Sequence, residues 1–258
     1  MTSNYKTILN KNGLKIAYNK ISQKNNTQKP GIVFLSGFNS DMNGNKAIFL
    51  QKKSIELGYQ YIRFDYSGHG SSEGVFEQCN ISIWLEDVII ILKKLTSGPQ
   101  ILVGSSMGGW LALLTAIKIP QFISAIVCIA AAPDFTKRIF EKELSIKQKI
   151  QLEKNGKINI YSEYSKEGYS ITKNLIDDGK KHLLLGKNIT IKKPVRLIHG
   201  INDMSVPWKD SLKLLNKLVT KDVELTFIKN GDHRLSSINN LELIWNIINS
   251  IKLEPKKY

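Results

Sequence analysis

Six consecutive residues, Gly104-Ser105-Ser106-Met107-Gly108-Gly109, constrain this chain most. Before them, residues 100–103 read as an apolar strand. After them, residues 110–119 read as an apolar helix that Pro120 ends. A chain that passes from strand to helix in so few residues must reverse sharply at a sheet rim. Glycines two positions either side of Ser106 remove the side chains that would collide in such a bend. The Gly-x-Ser-x-Gly spacing therefore projects Ser106 from the sheet as a candidate nucleophile, ahead of the helix that follows. The helix N-terminus favours negative charge developing there. Ser105 falls off the central position. A phosphate-binding loop would need Lys-Ser or Lys-Thr after its last glycine, and Gly109 is followed by Trp110.

The rest of the chain alternates short apolar runs with helical patterns, which predicts an α/β fold with a mostly parallel central sheet flanked by helices. Asn12-Gly13 marks a hairpin turn between residues 6–9 and 14–18. Strands are expected at 32–35, 59–64, 100–103, 123–130, 195–198 and 224–228. Helices are expected at 47–57, 82–95, 110–119, 209–219 and 238–251. Residues 134–190 break the rhythm with many lysines and no evident core strand. An unstructured connection of that length does not suit a compact domain. The segment reads as a helical lid inserted into one domain spanning residues 1–258.

The formal charge of +15 raises nucleic-acid binding, yet Arg63, Arg138, Arg196 and Arg234 are the only arginines. The excess is lysine, dispersed along the chain, whereas nucleic-acid readers group charge and favour arginine forks. No nucleic-acid partner is expected. Lys137, Arg138, Lys142, Lys147 and Lys149 could instead draw anionic substrates or an acidic membrane surface toward the site, or simply solvate the lid. Two cysteines, Cys79 and Cys128, make neither a disulfide framework nor a zinc site. No run is long and apolar enough for a membrane span, and the N-terminus shows no secretory signal. The expected location is cytoplasmic, with no cofactor and no metal.

A serine nucleophile needs a base and a group that orients it. Four histidines are available. His233 stands in Asn230-Gly231-Asp232-His233, beyond the carboxyl end of the strand at 224–228, where such sheets put their chemistry. His69 lies in a glycine-rich loop, His182 in the insertion, and His199 at a strand end that suits a packed structural ring. The acid should follow an earlier strand, and Asp203 follows the strand at 195–198. Asp65 and Asp87 precede the serine, Asp210 sits further along a helix, and Asp232 adjoins the histidine. Two N–H donors should face the developing oxyanion. Met107 follows the nucleophile, and Phe38 sits in the loop Ser36-Gly37-Phe38-Asn39-Ser40 after the strand at 32–35.

These residues resemble a known family. Leu35-Ser36-Gly37-Phe38, Arg63-Phe64-Asp65-Tyr66-Ser67-Gly68, Gly104-Ser105-Ser106-Met107-Gly108-Gly109-Trp110, His199-Gly200 with Asp203, and Asp232-His233-Arg234 are similar to motifs of the α/β-hydrolase superfamily. More narrowly, the set resembles the mitochondrial palmitoyl-protein thioesterase and mycophenolic acid acyl-glucuronide esterase subgroup. The resemblance implies an α/β-hydrolase fold, a triad at Ser106, Asp203 and His233, and cofactor-free cleavage of acyl thioesters or carboxylic esters of small-molecule or acylated-protein substrates. Hydrolysis of a peptide or amide bond, or a noncatalytic binding protein on the same fold, are the alternatives. A dehalogenase or epoxide hydrolase would want a carboxylate where Ser106 stands.

Overall fold

Ile32, Val33, Phe34 and Leu35 are all buried, as in a strand covered on both faces. They form β3 (Ile32–Leu35) of the computed structural model, which describes residues 5–22, 29–162 and 165–252. Strand β1 (Lys6–Leu9) and β2 (Lys15–Ile21) make the expected hairpin, with Gly13 at φ 77° in its turn. Strand β4 (Tyr61–Phe64) pairs antiparallel with β2 and parallel with β3. Strands β5 (Gln100–Ser105), β6 (Ile123–Ile129), β9 (Val195–Gly200) and β10 (Val223–Ile228) continue the sheet in parallel. The order is β1-β2-β4-β3-β5-β6-β9-β10.

Because side chains alternate along a strand, the sheet feeds two apolar layers. Ile32 and Phe34 pack with helix α1 (Asn45–Glu56) and helix α8 (Ile238–Ser250), around Leu50 and Trp245. Val33 and Leu35 pack with α2 (Ile81–Leu95), α3 (Met107–Lys118) and α7 (Lys209–Lys217), around Trp84 and Trp110. Asn80 caps α2 by accepting from the Ile83 N–H, so that helix begins one residue before the expected boundary. Cys79 and Cys128 are buried free thiols, and burial pushes the Cys128 thiol up to about 12.

The segment 134–190 differs from its purely helical expectation. It does contain α4 (Phe135–Arg138), a π-helical turn over Ile139–Glu143, α5 (Ile146–Asn155) and α6 (Lys173–Gly179). Between α5 and α6, however, β7 (Lys157–Ser162) and β8 (Ser165–Thr172) form an antiparallel pair. The cause is a period-two pattern hidden among polar residues. Ile158 faces Ile171 and Ile160 faces Tyr169, while Lys157 and Asn159 alternate outward. Ile158 and Ile171 bury into the same apolar layer as Trp84 and Trp110, together with Phe135, Leu152 and Leu175. Trp110 also donates its indole N–H to the His182 carbonyl at 3.1 Å, tying α3 to this segment.

Candidate active site

The bend at Ser106 has the geometry its glycines require. Ser106 holds φ 55° and ψ −119°, outside the regions open to an ordinary side chain. Its N–H donates to the Ile129 carbonyl at 2.9 Å, and its carbonyl accepts from the Gly109 and Ala132 N–H groups. A Cβ on Gly104 would stand 2.2 Å from the Gly108 carbonyl oxygen, and one on Gly108 would stand 2.1 Å from that of Leu35. No side chain fits either gap. The bend is thus pressed between β3 and β6, with its hydroxyl at the carboxyl rim of the sheet.

Two further rim loops converge on it. The loops after β9 and β10 are joined by an Asn202 N–H bond to the Gly231 carbonyl at 2.9 Å. This brings Asp203 and His233 together across 30 residues of sequence. His233 Nδ1 lies 2.7 Å from Asp203 Oδ2, and His233 Nε2 lies 3.2 Å from Ser106 Oγ. All three residues chosen from sequence therefore form one hydrogen-bonded line. The competing acids serve elsewhere. Asp65 accepts from the Met42 and Ser71 N–H groups, Asp87 from Asn10 and Ser67, Asp210 from Lys213, and Asp232 from the Leu235 N–H.

Asp203 is fully enclosed and heavily solvated by protein. Its Oδ1 accepts from the Ser205 and Val206 N–H groups, each at 2.8 Å. Its Oδ2 accepts from His233 and also from His199 Nε2 at 3.0 Å. Burial pushes its carboxyl up. The hydrogen bonds from His199 and His233, the His233 charge and the Val206 N–H outweigh burial and hold it well below the usual carboxylate range. His199 is a site residue that sequence reading assigned to packing alone. Its Nε2 also faces the Val206 carbonyl at 3.1 Å, so Nε2 carries hydrogen, while Nδ1 meets the Ser211 hydroxyl at 2.6 Å. The available signal was its place four residues before Asp203, with a returning loop between them.

Replacing His199 with leucine removes one charge-assisted bond to a buried carboxylate, which costs about 1.5–3 kcal/mol of stability at pH 7. Because the folded acidity of Asp203 lies below the unfolded value, that contribution is complete above the unfolded pKa. It fades as pH falls below about 4 toward the folded value. Urea unfolding of both proteins at pH 7 measures the gap, and a leucine variant as stable as wild type shows that the His199 bond contributes nothing.

The loop after β3 closes the other side of the site. A Cβ on Gly37 would lie 3.4 Å from the Ser106 Cβ, so this backbone touches the nucleophile. Among the described residues, neither the Phe38 N–H nor the Met107 N–H has a protein acceptor. Two cavities flank Ser106 and share Phe38, Tyr169 and His233 as walls. One, of about 350 Å³, is the more polar of the two, with Ser40, Asn45, Lys46 and Ser236 among its walls. The other, of about 370 Å³, is walled chiefly by Phe135, Ile139, Ile160, Ile171 and Val206. Lys46, half-buried in the polar one, is pulled down to about 8, chiefly by burial.

Known proteins similar in sequence share this fold. Residues 30–149 match the family model described as alpha/beta hydrolase fold. The bovine protein named palmitoyl-protein thioesterase ABHD10, mitochondrial, is 41% identical over 230 residues, 89% of this chain and 74% of the bovine one. The chain belongs to the α/β-hydrolase family. Solved α/β-hydrolase structures superpose along nearly its whole length. Mouse alpha/beta hydrolase domain-containing protein 10 shares 37% identity at a TM-score of 0.86, covering 96% of this chain and 98% of the mouse one. A structure named as a hydrolase of Agrobacterium vitis shares 35% identity at a TM-score of 0.92, covering 95% of this chain and 97% of that one. Among the described residues of this α/β-hydrolase, no helix is long and apolar enough to cross a membrane.

Proposed function

We propose that this chain is a serine hydrolase of acyl thioesters or carboxylic esters, working through an acyl-serine intermediate. The observation that carries the reading is the unbroken line from Ser106 Oγ through His233 to Asp203, at 3.2 and 2.7 Å. In this reading His233 Nε2 takes the Ser106 proton as Oγ attacks the acyl carbonyl. Asp203 holds the ring by Nδ1 and balances the imidazolium that forms. The carbonyl oxygen becomes anionic and accepts from the Phe38 and Met107 N–H groups, each donor contributing about 3 kcal/mol. His233 then gives its proton to the departing thiolate or alkoxide. Water, deprotonated by the same ring, cleaves the acyl-serine and restores the hydroxyl.

Residues 134–190 act as a lid of one domain, and the apolar cavity they wall holds the acyl chain. The polar cavity takes the leaving group. Thioesters lead the substrate list because the mammalian relatives are named palmitoyl-protein thioesterases. Scarce arginine and dispersed lysine argue against a nucleic-acid partner. The mammalian relatives' names specify mitochondria, and fractionation of the source cells tests a mitochondrial against a cytoplasmic location for this chain.

The test is covalent. A fluorophosphonate probe labels the wild-type protein at Ser106 and leaves Ser106→Ala unlabelled, and wild type hydrolyses members of a graded acyl-thioester and ester panel. Labelling that persists in Ser106→Ala removes this serine as nucleophile. Absence of both labelling and hydrolysis in wild type removes the enzymatic reading.

A further inference from the structure

The loop that carries Phe38 is a tight turn. The Ser40 N–H bonds the Gly37 carbonyl at 3.3 Å, which makes Phe38 and Asn39 the central pair. Asn39 holds φ 52°, a positive value at the third position, as in type II turns. Asparagine tolerates that conformation better than most residues but does not enforce it. The peptide between Phe38 and Asn39 has an alternative orientation, with φ of residue 39 negative, that suits a side-chain-bearing residue better. Something outside the turn must select the observed one.

His69 meets that peptide directly. The Asn39 N–H donates to His69 Nε2 at 3.2 Å, and His69 Nδ1 lies 3.2 Å from the Ser67 carbonyl. An amide N–H can only donate and a carbonyl can only accept, so the tautomer is fixed. The hydrogen sits on Nδ1 and the lone pair on Nε2. The ring has no freedom to turn. Its edges and faces meet Tyr66, Phe76 and Trp84 at centroid distances of 5.5, 5.0 and 5.2 Å. Phe76 and Trp84 also pack the Phe38 ring, at 5.1 and 5.9 Å. Behind His69, the Ser67 carbonyl also accepts the Trp84 indole N–H, and the Ser67 N–H is held by Asp87 of α2 at 2.8 Å. A rigid chain therefore runs from α2 to the turn beside Ser106.

We infer that His69 is a positioning residue for the oxyanion loop: its Nε2 lone pair anchors the Asn39 N–H and so fixes the turn whose preceding peptide presents the Phe38 N–H to the tetrahedral oxygen. The inference rests on the serine-hydrolase reading above. Burial pulls the His69 pKa down to about 4, which keeps that lone pair available at neutral pH. His69 touches no reacting atom. Its contribution is realised in the transition state, through the donor it holds, and not in ground-state binding.

Three variants separate the acceptor from the ring. His69→Phe fills the aromatic cage but offers no lone pair. His69→Asn keeps a donor near the Ser67 carbonyl and loses the acceptor facing Asn39. His69→Gln places an amide oxygen where Nε2 stood. The expected kcat on an acyl thioester falls about 10- to 100-fold in the Phe and Asn variants, less than the ~100- to 1,000-fold of deleting a donor outright. KM stays within about threefold, and the inhibition constant of an alkyl boronic acid, a tetrahedral mimic, rises in parallel with the kcat loss. His69→Gln stays within about fivefold of wild type in both readouts. Wild-type kcat in folded Phe or Asn variants overturns the inference. So does a Gln variant as slow as Phe, which would assign the effect to ring shape. A wild-type protein that neither takes up the fluorophosphonate nor turns over any ester fails the earlier reading instead, before any variant is made.

Discussion

Alanine at position 233 lowers kcat on an acyl thioester by about 10⁵- to 10⁶-fold and leaves KM nearly unchanged. The reason is chemical. A serine hydroxyl transfers an acyl group at neutral pH only when a positioned base removes its proton, and His233 Nε2 is the imidazole nitrogen bonded to Ser106 Oγ. The other three rings are committed elsewhere. His69 is caught between Asn39 and Ser67, His199 between Asp203 and Ser211, and His182 meets Ser82. None can substitute. Residual activity should match that of a Ser106→Ala, His233→Ala double variant within about tenfold, because nucleophile and base act as one unit. Single-turnover measurements with enzyme in excess read this directly. A loss under tenfold in His233→Ala would place the base somewhere else.

How much of this was legible beforehand depended on whether a residue's role is local. The bend at Ser106 was readable because collision two residues either side is a property of the turn itself, and glycine is the only remedy. Asp203 and His233 were readable because each follows a parallel strand, and parallel strands deliver their exits to one rim. The contact of His199 with Asp203 was not, since it depends on how the loop between them returns. The bond from His69 to Asn39 joins loops after different strands, and nothing in either loop's sequence announces the other. The β7–β8 hairpin was missed because its alternating isoleucines are few and lie among lysine, asparagine and serine, a composition that reads as solvated surface.

The second large effect falls on Gly108. Alanine there destabilises the fold by about 4 kcal/mol or more. Alanine is the better helix former by about 1 kcal/mol, so an ordinary helix position would gain from the change. Here the added carbon would meet the Leu35 carbonyl oxygen at 2.1 Å and the Ser36 carbonyl oxygen at 2.6 Å. Both are backbone atoms of a fully buried strand exit and cannot swing aside. Relief requires α3 to withdraw from β3, which also parts the Met107 N–H from the loop holding Phe38. Urea unfolding reports the stability loss. Boronic acid affinity in the folded fraction reports the separated donors, and should fall more than substrate affinity does. A variant as stable as wild type would mean that the contact between β3 and α3 is looser than described.

Phe135, Ile139, Ile171 and Val206 each face two ways. They wall the apolar cavity beside Ser106, and they are also members of the apolar layer that holds the sheet, α2 and α3 together. An enzyme whose binding wall is a separate flap can trade side chains there freely as its diet changes. On the proposed function this chain cannot, since every methylene removed to admit a bulkier acyl group is also removed from the interior that keeps the protein folded. In that reading the same few residues set both its substrate range and its tolerance of heat, and drift in one should leave a trace in the other.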